Sequence, residues 1–265
     1  VGGGGVSGSR IILGEVIGTF LLMAIGCGAG VVATAVGGVP LVVIAFAWGL
    51  AVTVAVYASR GLSDAHLNPV FTLAFVVLGR TRRDAVPAYL LGQFIGAFAG
   101  TVAVYALAAP EIASFEAVNG IVRGTAASVR TAALFTVFFP SPGGVATLTA
   151  LGAFATEAAA TLTLVALVLI LTDPRSPART PDWIAPCLVG VVVACLIGLA
   201  APLTGAGFNP AREAAPRLFT FLSGWGRVAL AGGGAGGFFV YWLGPIVGAM
   251  IAAYGFRRAL RLRTI

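Results

Sequence analysis

The chain has 265 residues, 59% of them hydrophobic and only 9% charged, with a mean hydropathy of +1.02. A soluble domain carries about 25% charged residues, and no soluble fold of this length has the interior to hide so much apolar sequence, so the solvent must be mostly lipid. The formal charge of +7 rests on 16 basic residues, all Arg; they sit in short loops and at the C-terminus, which reads as topology control and not as a nucleic-acid surface.

Val1–Ser9 is Gly/Ser-rich and is set aside as a disordered segment. Six apolar stretches long enough to span follow, at about 11–33, 40–59, 85–108, 149–172, 183–202 and 237–256. Two shorter apolar segments, about 68–79 and 209–222, each open on Asn-Pro: Asn68-Pro69 and Asn209-Pro210. Asn is a preferred N-cap and Pro suits the first helical position. A helix of about 12 residues reaches only about 18 Å, little more than half of the hydrocarbon core. Each segment is therefore expected to be a half-helix starting inside the membrane, where only protein or a water-filled cavity satisfies the free backbone groups. The three cysteines (Cys27, Cys187, Cys195) lie in apolar runs at no metal-ligand spacing and read as packing residues; no metal or other cofactor is expected.

The two halves correspond. Glu15 precedes Thr19 by four residues, as Glu157 precedes Thr161. Glu15 to Asn68 is 53 residues and Glu157 to Asn209 is 52. Gln93-Phe94-Ile95-Gly96-Ala97 parallels Pro245-Ile246-Val247-Gly248-Ala249. This internal repeat divides one domain into halves at 10–125 and 126–265. Three full spans per half is an odd number, so the halves enter the membrane in opposite senses and the half-helices point their N-termini at each other. With both termini cytoplasmic, Arg10, Arg60, Arg80, Arg82, Arg83, Arg175, Arg179, Arg257, Arg258, Arg261 and Arg263 lie inside, against Arg123, Arg130, Arg212, Arg217 and Arg227 outside. The connection at about 109–148 is then external and is expected to shape an outer vestibule.

Two opposed half-helix N-termini present positive partial charge at the midplane, and Asn68 and Asn209 offer amide donors to a passing oxygen. Such a site repels cations and interrupts proton hopping. Arg212 adds a buried positive charge in apolar surroundings, which is costly and usually functional. Glu15 and Glu157 are intramembrane carboxylates, read as acceptors for backbone N–H groups of the re-entrant loops.

His66-Leu67-Asn68-Pro69-Val70 and Gly207-Phe208-Asn209-Pro210-Ala211-Arg212 resemble the twin Asn-Pro-Ala boxes of the aquaporin and aquaglyceroporin family. With the repeat, the two Glu and Gly244-Pro245-Ile246-Val247-Gly248-Ala249, the resemblance covers nearly the whole chain after residue 10. It implies an all-α membrane fold of six spans and two re-entrant half-helices, and a passive channel rather than an enzyme. The channel implied passes water and small uncharged solutes such as glycerol and excludes ions and protons. It also implies a homotetramer with one pore per subunit in the cell membrane. The boxes place Asn68, Pro69, Val70, Asn209, Pro210 and Ala211 at the pore midplane. Val70 stands where the family usually has Ala, and its extra methyls either narrow the midplane or repack it. The family's selectivity filter falls on Trp48, Ile197, Ala206 and Arg212. Glycerol facilitators usually pair Trp with Gly and Phe, and water-selective members have Phe, His and a small residue. The filter here lacks His and resembles plant channels for glycerol and metalloid acids. His66, the single histidine, reads as pore-lining or loop-bracing. Glu213 and Arg217 stand where glycerol channels have an acidic and a basic residue, whereas Tyr241-Trp242 resembles the water-channel pattern. A water-selective channel, a urea or metalloid channel and a secondary transporter with inverted repeats remain the alternatives. An intramembrane protease, which needs a nucleophile with a positioned base, is disfavoured, because no Gly-x-Ser-x-Gly motif occurs and His66 is the single histidine.

Overall fold

The computed structural model describes residues 7–144, 148–230 and 237–262. Val1–Val6 and Arg263 of the segments considered above lie outside the described residues. Helix α1 (Gly8–Val36) starts on the Ser7 side chain, which accepts from the Arg10 N–H; the Gly/Ser segment expected through Ser9 thus reaches into the first helical turn. Then come α2 (Leu41–Ser59), the short α3 (Pro69–Val77) and α4 (Val86–Val118). After a single turn, α5 (Val129–Ala132), follow α6 (Ala150–Thr172), α7 (Ala185–Thr204), the short α8 (Pro210–Thr220) and α9 (Gly244–Leu262). Six helical stretches are long and apolar enough to cross a membrane, and no strand occurs among the described residues.

Two boundaries differ from expectation. The third span runs to Val118, through Pro110, so α4 has 33 residues and at 1.5 Å per residue stands about 50 Å long, well beyond the bilayer core. The expected outer connection therefore begins as helix. The sixth span opens with a wide turn at Phe239–Leu243 before α9, which continues to Leu262 on a basic last turn. Cys27 is buried as expected, but Cys187 and Cys195 face outward on α7.

The packing is two-fold symmetric. In the first half α1 lies against α2 and α4; in the second, α6 lies against α7 and α9. The half-helices cross over: α3 packs on α9 and α8 packs on α4. Helices α2 and α7 meet on the axis of this symmetry. Their contact is backbone on backbone. A Cβ at Gly49 would lie 2.4 Å from the Gly190 carbonyl oxygen, and one at Gly190 would lie 2.5 Å from that of Gly49. Small residues let spans approach where lipid supplies no hydrophobic drive to pack. Outward, Phe46, Leu50, Leu107, Leu199 and Ile251 are exposed, an apolar surface suited to lipid.

Candidate functional site

Each half-helix is started by its own sequence. The Asn68 Oδ1 accepts from the Val70 N–H at 3.0 Å, and the Asn209 Oδ1 from the N–H groups of Ala211 (2.9 Å) and Arg212 (3.2 Å). Pro69 and Pro210 occupy the first helical position, where their missing N–H is no loss. The caps are also cross-braces. The Asn68 Nδ2 donates to the Phe208 carbonyl at 2.9 Å, and the Asn209 Nδ2 to the Leu67 carbonyl at 2.8 Å. An amide nitrogen has two N–H groups, so each Asn ties its half to the other with one and has a second to give; both residues line a cavity.

The loops leading to the caps are held by the two buried glutamates. Glu15 Oε1 accepts from the Ser63 hydroxyl (2.7 Å) and the His66 N–H (2.9 Å); its Oε2 accepts from the Leu67 N–H (2.7 Å) and the Gln93 amide (2.9 Å). Glu157 repeats the pattern. Its Oε1 accepts from the Thr204 hydroxyl (2.6 Å) and the Gly207 N–H (2.9 Å), and its Oε2 from the Phe208 N–H (2.8 Å). Between these anchors the backbone alternates into left-handed conformation at Ala65 (φ 51°) and Leu67 (φ 55°), and at Ala206 (φ 57°) and Phe208 (φ 53°). Non-glycine residues adopt that conformation at a cost of about 1–2 kcal/mol each. The carboxylates hold it by satisfying N–H groups that would otherwise be buried without partners.

A cavity of about 580 Å³ runs from Arg60, Arg179 and Asp182 at one mouth, past Asn68 and Asn209, to Trp48, Ile197, Ala206 and Arg212. The Arg212 guanidinium lies 4.6 Å from the centre of the Trp48 ring, and its Nη1 donates to the Phe135 carbonyl at 3.1 Å. One wall, with Phe71, Val52, Val189 and Val193, is apolar; facing it are the Asn side chains and loop backbone. At the mouth, Arg175 hydrogen-bonded to Asp173 holds that carboxyl below the usual carboxylate range.

His66 is buried beside the first re-entrant loop. It lines the cavity, and its ring stacks on Tyr89 at 3.9 Å with Nδ1 3.0 Å from the Thr72 hydroxyl. Val70 is fully buried among Ala74, Phe75, Val165, Leu169 and Ala249, so its methyls repack the α3 face and do not reach the lumen. Ala211 is likewise fully buried. Glu213 and Arg217 pair on α8, away from the cavity lining. There Arg217 donates to the carbonyls of Val137 and Ala229, and Trp242 Nε1 donates to Glu213 at 3.0 Å. Tyr241 is fully buried and its hydroxyl donates to the Thr204 carbonyl at 2.7 Å. These four residues brace the loop that follows α4 and the second re-entrant loop.

Sequence reading missed Ser63 and Thr204, although a signal existed: each stands five residues before its Asn, and Ala65/Ala206 and Leu67/Phe208 keep the same register. It also missed the Phe135 carbonyl. Nothing in the sequence marks a backbone oxygen 77 residues away as the partner of Arg212.

Comparison with known proteins agrees with this geometry. The sequence profile of the family described as Major intrinsic protein matches residues 5–256. A glycerol uptake facilitator protein of Haemophilus influenzae is 39% identical over 256 residues, covering 94% of this chain and 92% of the relative. A propanediol uptake facilitator of Salmonella typhimurium is 35% identical over 243 residues, covering 89% of this chain and 86% of the relative. Among solved structures, the aquaglyceroporin from Plasmodium falciparum superposes with a TM-score of 0.81 at 25% identity, covering 97% of this chain and 100% of that one.

Proposed function

Because this chain belongs to the major intrinsic protein family, we propose that it is a passive membrane channel for water and small uncharged polyols such as glycerol. The observation that carries the reading is the continuous cavity, which joins one mouth to the Trp48–Arg212 constriction past two crossed Asn amides. A polyol has a carbon side and a hydroxyl side. Trp48 and Ile197 meet the first; Arg212, the free Asn N–H groups and loop carbonyls meet the second. Desolvating hydroxyls is costly unless each is matched by a donor or acceptor, and this two-faced wall supplies the match. Relatives named for glycerol and propanediol uptake support the same class of solute.

Ion exclusion follows from charge. A cation entering the constriction meets the Arg212 guanidinium and then two helix N-termini, while Glu15 and Glu157 behind the re-entrant loops are committed to loop N–H groups. Protons are blocked because a water at the midplane accepts from Asn68 and Asn209 and cannot pass a proton along.

The protein is multi-pass. Both termini on the cytoplasmic side of the cell membrane, assembly as a homotetramer and the filter roles of Trp48, Ile197, Ala206 and Arg212 are part of the proposal. Stopped-flow measurements on reconstituted vesicles test it. Water efflux and glycerol uptake should both exceed those of empty vesicles with low activation energy, without dependence on H⁺ or Na⁺ gradients. Fast water with glycerol uptake no faster than in empty vesicles would make this a water-selective channel; saturable uptake coupled to an ion gradient would make it a transporter.

A further inference from the structure

The outer loop that presents the Phe135 carbonyl to Arg212 has little regular structure beyond the single turn α5, so something else must fix its position. Glu116, on the last turns of α4, is buried. Its carboxylate accepts from Arg123 Nε at 3.1 and 2.9 Å and from the Thr131 hydroxyl, on α5, at 2.8 Å. Thr131 in turn accepts from the indole Nε1 of the fully buried Trp225 at 2.9 Å. Arg123 completes the cluster: Nη1 donates to the Tyr105 hydroxyl (2.7 Å) and the Ser223 carbonyl (3.1 Å), and its guanidinium lies 3.9 Å from the centre of the Trp225 ring. One carboxylate thus ties together the end of α4, the turn α5 and the segment that follows α8.

Four residues after Thr131, the Phe135 carbonyl receives Arg212 Nη1, while the Phe135 ring packs edge-on against Trp225 and Phe219. Neither Glu116 nor Arg123 lines the cavity. The connection is thus anchored at its base by the part-buried Glu116–Arg123 ion pair and at its tip by Arg212.

We propose that Glu116, Arg123 and Thr131 are positioning residues for selectivity: through α5 and the Phe135 carbonyl they aim the Arg212 guanidinium across the constriction from Trp48. This rests on the channel reading above. Water offers one oxygen and adapts to a displaced donor. Glycerol must keep its carbons on Trp48 and Ile197 while Arg212 meets successive hydroxyls, so a mis-aimed Arg212 penalises glycerol more.

The test measures water and glycerol permeability of the full-length protein in vesicles, normalised to incorporated protein. Thr131→Val keeps size and removes the one hydroxyl that joins Glu116 to Trp225; Glu116→Gln removes the negative charge that faces Arg123. Each should lower the glycerol-to-water permeability ratio by about three-fold or more, while Arg130→Ala, on the same turn, leaves it unchanged. In an Arg212→Val background the Thr131→Val effect on the ratio should vanish, because its route is gone; a merely structural effect would persist there. An unchanged ratio in both Thr131→Val and Glu116→Gln, in protein that still conducts water, overturns the assignment, as does an effect of equal size without Arg212. Wild-type vesicles that pass neither solute would instead overturn the channel reading, and this assignment with it.

Discussion

Glu157→Gln changes one oxygen to an NH2 group at a place where every neighbour is a donor. The Gly207 N–H points at one carboxylate oxygen and the Phe208 N–H at the other. Whichever way the new amide turns, one loop N–H loses its acceptor and faces an NH2. A buried donor left without a partner costs about 1–3 kcal/mol, and losing the charge weakens the bond that remains. The Thr204 hydroxyl turns to suit either arrangement, so it adds little. Glu157→Ala orphans two backbone donors together, about 2–6 kcal/mol, a large share of a typical folding stability of about 5–15 kcal/mol, while the Thr204 hydroxyl keeps the Ala200 carbonyl within reach. The Gln variant should therefore assemble with a lowered melting temperature, and the Ala variant should largely fail to. Function should fall with it. Phe208 carries the carbonyl that receives Asn68 Nδ2, so a displaced loop loosens the brace between the halves as well. The assay is thermal melting in detergent together with water permeability per incorporated protein. Glu15→Gln, facing the His66 and Leu67 N–H groups in the same way, should behave alike. A Glu157→Gln protein that melts and conducts as the wild type does would refute the argument that these carboxylates hold the re-entrant backbone.

Three further outcomes are expected. Arg212→Val should keep water flux and admit cations or protons, read as ionic current in planar bilayers; a wild-type protein that already carries such current removes the exclusion mechanism. Asn209→Asp keeps the cap acceptor but sets a carboxylate against the Leu67 carbonyl, so neutral-solute flux should drop by about ten-fold, the equivalent of about 1.4 kcal/mol, and unchanged flux would reduce Asn209 to a plain cap. Ala206→Phe puts a ring into the cavity opposite Trp48 at a backbone already left-handed, and should cut glycerol uptake more than water flux; equal loss of both would misplace the residue.

Much of the architecture is legible in the sequence because it depends on local chemistry. Span length follows from bilayer thickness, and Asn-Pro in an apolar run announces a helix that starts within it. Fifty-odd residues between each Glu and its Asn, in both halves, disclose the inverted repeat. What failed was also local in origin. The third span was ended near 108, yet Pro110 lies inside α4, which the packing of Glu116, Tyr105 and Trp225 carries on to Val118. Tyr241-Trp242 and Glu213/Arg217 are a separate matter: they resemble the signatures of different pore classes, and in the fold they brace the second re-entrant loop and the loop after α4.

The amino-acid sequence by itself determined the apolar spans, the half-helices, their opposed orientation and the residue types available to a filter. The tertiary structure decided which of these meet. It set Asn68 on the Phe208 carbonyl and Asn209 on the Leu67 carbonyl, turned Val70 away from the lumen, and brought the Phe135 carbonyl to Arg212. The reason is physical. Helix formation and capping are settled within a few residues, whereas a hydrogen bond between groups 77 to 142 residues apart exists only once packed helices have brought them together, and the acceptors in question are backbone oxygens that every residue carries.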